Sequence, residues 1–128
     1  MQTRLMMGSS AAFMAALGLV ATFAPQELLR HFDVAPHGAV VLITEIAGAL
    51  YLGFAYLNWM ARGNAIGGIY SRPIAMGNFL HFVVVGATLI RSAAGWMGRP
   101  EILAMLLVYV IYSAWFGLTL FRSPRSSA

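Results

Sequence analysis

The sequence predicts an all-α protein, an integral membrane four-helix bundle with its N and C termini on the cytoplasmic side. Three observations carry that prediction. Hydrophobic residues make up 60% of the chain and charged residues only 9%, against about 25% charged in ordinary soluble domains, so too little charge is present to coat a water-facing surface. The apolar residues gather into four runs close to the roughly 20 residues that cross a bilayer core. A length of 128 residues holds four such runs with short connections, which predicts a single transmembrane domain over residues 1–128.

Residues 5–24 are free of charge and follow Met1-Gln2-Thr3-Arg4, an arrangement that resembles the basic front of a signal peptide. Pro25 would follow a cut after Thr22-Phe23-Ala24, which argues against cleavage there. The segment is read as the first span. A short amphipathic helix over residues 26–34 follows, with Leu28, Leu29 and Phe32 on one side and Glu27, Arg30 and Asp33 on the other. Pro25 suits its start and Pro36 ends it, and such a piece between two spans lies flat at the membrane surface.

The second span is expected over residues 39–61, interrupted by one charge, Glu45. The Gly-rich segment 62–72 reads as a turn. Residues 73–90 form the third span, residues 91–100 another turn, residues 101–121 the fourth span, and the polar end from Arg122 a disordered tail. Orientation follows from the excess of basic residues on the cytoplasmic side. Arg4, Arg62, Arg72, Arg122 and Arg125 gather on one side, and Arg30, Arg91 and Arg99 on the other. Trp59 and Trp96 stand near span ends, as interface anchors do.

Net charge is +4 and the pI is about 10.1, yet all eight basic residues are scattered Arg. No basic patch with interleaved aromatics exists, which excludes nucleic acid as an expected partner. The absence of Cys excludes disulfides and thiolate metal sites. His31, Asp33 and His37 match no metal-ligand spacing, His81 lacks a second histidine at its depth for haem, and Met6, Met7 and Met14 lack His or Cys neighbours for copper. Neither a metal nor a cofactor is expected, and no catalytic residue is assigned.

Glu45 is the most informative position, because a carboxylate inside a span costs several kcal/mol unless it is protonated, paired or wet. Helical spacing places Glu45, Ala49, Leu52 and Tyr56 on one face, and the small Gly48 and Ala49 predict that this face looks inward. On the third span Asn78, His81, Val85, Thr88 and Ser92 form a polar stripe. Antiparallel neighbours would bring His81 to the depth of Glu45, with Tyr112, Ser113 and Thr119 completing a lining. These groups either fix helix register by hydrogen bonding, line a ligand-binding pocket, act as acid and base, or, for Glu45, meet a partner chain. Small residues four apart, such as Ala49 with Gly53, serve close packing within the chain or between chains.

The run Phe23-Ala-Pro-Gln-Glu-Leu-Leu, the segment Glu45-Ile-Ala-Gly-Ala-Leu-Tyr-Leu-Gly53 with Asn58-Trp59, and Asn78-Phe-Leu-His81-Phe82 resemble the small bacterial four-helix membrane proteins of the DoxX-like type, over nearly the whole chain. The Asn after the second span and His-Phe in the third are similar to the ergosterol-biosynthesis scaffold family. The first resemblance implies a four-helix fold in a bacterial inner membrane, and the second a tether that gathers membrane enzymes. Small multidrug transporters carry their carboxylate in the first helix, which here has none, and the signatures of fluoride channels are missing. The function expected is therefore an accessory or scaffold subunit packed against other membrane subunits or further copies of itself. The alternative expected is a small-molecule or lipid binder with a polar site between the second and third helices.

Overall fold

A computed structural model describes residues 2–64 and 71–122. Among these residues the chain is all-helical, with α1 (Gln2–Phe23), α2 (Pro25–His31), α3 (Gly38–Ala61), α4 (Ser71–Trp96) and α5 (Pro100–Arg122), and it contains no strand. Four of these helices, all but α2, are long and apolar enough to cross a membrane. The 24 residues of α3 extend about 36 Å at 1.5 Å per residue, more than the roughly 30 Å of a hydrocarbon core. Residues 65–70 of the expected turn and residues 123–128 of the expected tail, with Arg125, lie outside the described residues.

Helix α1 begins at Gln2 rather than residue 5 and α4 at Ser71 rather than residue 73, and two C-terminal boundaries differ as well. The third long helix runs on to Trp96 rather than stopping near Ile90. Arg91 does not end it, because a long cationic side chain can lie along an apolar helix and still reach the interface. Ala93 and Ala94 are strong helix formers, so the break waits for Met97-Gly98-Arg99 before Pro100. The short helix ends at His31 rather than at residue 34. Asp33 there takes a left-handed φ of 59°, and the Val34 and Asp33 N–H groups donate to the Leu29 and Arg30 carbonyls at 2.9 and 3.0 Å. That pair of bonds closes the helix in a Schellman motif.

The chain divides into two compact units, Met7–Arg62 and a second made of Met1–Met6 with Gly63–Ala128. In the first, Asn58 donates to Ser10 Oγ at 3.1 Å and reaches Met14 Sδ at 3.7 Å. Gly18 meets Leu52, and Gly48 meets Thr22. Rising positions on α1 pair with falling positions on α3, so the two helices are antiparallel. A Cβ on Gly48 would stand 2.8 Å from the Thr22 backbone N, and one on Gly18 2.9 Å from the Leu52 backbone N. Only glycine admits the facing backbone at these points, as at other close membrane helix crossings.

In the second unit α4 and α5 form an antiparallel hairpin across Met97–Arg99. Phe82 is fully buried, with ring centroids 4.9 Å from Tyr112, 5.1 Å from Tyr109 and 5.6 Å from Phe116. Phe79 packs edge-on against Phe121 at 5.7 Å, and a Cβ on Gly117 would stand 2.9 Å from its ring. Every third or fourth residue of each helix enters this seam, which is the spacing that puts side chains on one face.

Candidate functional site

The polar residues of α4 and α5 are mostly spent within their own unit. His81 Nε2 lies 3.1 Å from the Tyr109 hydroxyl, and the two rings stand 5.5 Å apart. Asn78, fully buried, donates through Nδ2 to the Ile74 carbonyl at 2.9 Å. The hydroxyls of Thr88 and Ser113 donate to the Val84 and Tyr109 carbonyls one turn earlier, at 2.9 and 2.7 Å. That back-bonding satisfies the donor of each hydroxyl within its own helix, and Thr88 is exposed rather than turned into the α4–α5 seam. Thr119 does the same to Trp115 at 2.8 Å, with Met6 Sδ 3.8 Å away. Tyr112 is buried and stacks on Phe82 and Trp115. Of the expected lining, His81 and Tyr112 fall in one aromatic cluster around Phe82, where His81 pairs with Tyr109.

Tyr109 is the residue that sequence reasoning missed, although it lies one turn before Tyr112 on the same face. Phe82, expected only as a neighbour of His81, is the centre of the cluster.

Glu45 belongs to the Met7–Arg62 unit, and within that unit it lies off the face of α3 that meets α1. It is exposed, together with Leu42, Ile46, Ala49, Gly53 and Tyr56. The reason is the choice between two adjacent small residues. Gly48, not Ala49, is the point at which α1 approaches, and three residues of helix turn Glu45 about 60° away from that contact. Glu45 forms no hydrogen bond or ion pair with any described residue. The neighbouring Thr44 hydroxyl donates to the Val40 carbonyl at 2.8 Å.

The same unit carries an open apolar groove of about 450 Å³ along the α1–α3 seam, lined by Ala11, Ala12, Ala15 and Leu19 facing Leu52, Ala55, Tyr56 and Trp59. The Arg62 guanidinium lies 3.7 Å over the Trp59 ring and donates to the Trp59 carbonyl. Among the described residues no group of three or more His, Asp or Glu is placed to hold a metal ion. No known protein family matches this chain, and neither does any curated protein or solved structure.

Proposed function

We propose that the chain is a non-enzymatic accessory or scaffold subunit of a bacterial inner membrane, with both termini in the cytoplasm, and that it packs against a larger membrane protein complex through α3. The observation that carries this reading is Glu45. An ionised carboxylate costs about 2.5–3.5 kcal/mol at the centre of a span even on the lenient insertion scales, and part of that cost falls on one set below the interface. Seven residues from the start of α3, Glu45 stands about 10 Å along the helix, too deep for so short a side chain to reach water.

A membrane helix that presents a hydrogen-bond donor or cation at this depth would relieve that cost. Ala49 and Gly53 on the same exposed side keep the surface low, and a Cβ on Gly53 would meet nothing within 4 Å. Small residues four apart are what a close helix–helix crossing requires. The test is gentle extraction of the native protein, which should yield a complex of fixed stoichiometry. Glu45→Leu should release the subunit while leaving the isolated chain at least as stable as wild type. A wild-type chain recovered only as a lone monomer would overturn the proposal.

A further inference from the structure

We propose that the α1–α3 groove is a lipid site, holding the upper part of one acyl chain of an anionic phospholipid along its alanine floor while Arg62 binds the phosphate. This goes beyond the docking role of Glu45 and does not depend on it.

Shape comes first. Ala11 to Leu19 and Leu52 to Trp59 give the groove a length of about 10–12 Å at 1.5 Å per residue. That is too short a seat for a partner span, which needs about 30 Å, and it suits half of a flexible chain. Its volume, about 450 Å³, lies within the 300–1,000 Å³ of ordinary small-molecule sites. Its floor is lined by alanines where the Asn58–Ser10 contact and the glycine crossings hold the two backbones close, and no large side chain of either helix fills it.

Position comes second. Trp59 lies two residues from the end of α3, where aromatic residues mark the boundary between hydrocarbon and headgroups. One end of the groove therefore opens at headgroup level and the other descends into the hydrocarbon, which is the direction of a lipid chain.

Charge comes third. None of the eight lining residues is charged, and the Arg62 guanidinium lies over the ring of Trp59, the lining residue nearest the end of α3. Arg62 uses one N–H on the Trp59 carbonyl and forms no ion pair with a described residue, which leaves most of its five donors for the paired oxygens of a phosphate. Stacking on Trp59 fixes the plane in which those donors point. Glu45 lies seven residues beyond Leu52, about 10 Å further from the mouth, so it does not oppose an anionic headgroup there.

Native mass spectrometry of the full chain, equilibrated with equal amounts of phosphatidylglycerol and phosphatidylcholine of matched chains, tests the proposal. Wild type should retain phosphatidylglycerol over phosphatidylcholine by about fivefold, the ratio that one basic residue near a membrane surface supplies. Arg62→Gln should bring the two lipids to parity while both remain bound. Ala12→Phe, a change at an exposed position of the floor, should displace both lipids, and Ala15→Leu should do so if the first variant folds poorly. Equal retention of the two lipids by wild type, an unchanged preference in Arg62→Gln, lipid binding unaffected by filling the floor, or loss of a bound protein rather than lipid on filling it would each overturn the assignment.

Discussion

Replacing Gly48 by Ala adds one methyl group at the closest approach of α1 and α3. Its carbon would stand 2.8 Å from the Thr22 backbone N and 3.0 Å from the Ala21 carbonyl carbon, where ordinary contact begins at 3.4 Å. The Thr22 hydroxyl stands closer still and could turn aside, but these two neighbours are backbone and cannot. The helices must part by about 0.6 Å, and a gap of that size forfeits a quarter to a half of each dispersion contact along the seam. Overpacking of this kind costs about 1–3 kcal/mol. Gly53→Ala is the control on the same helix, because its added carbon meets nothing within 4 Å. It should be neutral, or stabilising by up to about 1 kcal/mol through the better helix propensity of alanine. Reversible unfolding in mixed micelles, followed by tryptophan fluorescence, measures both. Equal stability of the two variants would refute the glycine-mediated crossing.

Three further substitutions probe the packing of each unit by the same assay. Phe82→Ala removes the ring at the centre of the α4–α5 seam, fully buried among Tyr109, Tyr112 and Phe116, and should cost about 3–5 kcal/mol. Asn58→Ala breaks the contact with Ser10 and should cost about 1–2 kcal/mol, the scale of an interhelical hydrogen bond in a membrane. Thr22→Val replaces a hydroxyl whose buried oxygen has no partner among the described residues. Because the shape is kept and an unsatisfied group removed, it should stabilise by about 1 kcal/mol; a loss of stability would reveal a hydrogen bond there.

The long helices are legible in the sequence because each apolar run carries at most one charge and each break carries Pro, Gly or clustered charge. Pro25, with Leu28 and Leu29 facing away from Glu27 and Arg30, likewise announces α2. The extension to Trp96 is not legible, since an arginine inside a helix end reads the same as one in a turn. The orientation of Glu45 is also beyond periodicity. Gly48 and Ala49 are both small, and the spacing alone does not say which of them admits the neighbouring helix. The Ser10–Asn58 contact joins residues 48 positions apart, and local pattern carries no signal for such a pair. Tyr109 is different in kind: it shares the spacing of Tyr112 and Phe116, and the helical stripe that led to Tyr112 extends to it.

The docking role of α3 is tested most directly by photocrosslinking in native membranes from a single reactive side chain at Ala49, with Leu107 on the exposed side of α5 as the comparison. The account predicts one discrete protein adduct from position 49, its loss in Glu45→Leu, and only lipid adducts from position 107. Lipid adducts alone from position 49, or a protein adduct indifferent to Glu45, would contradict it.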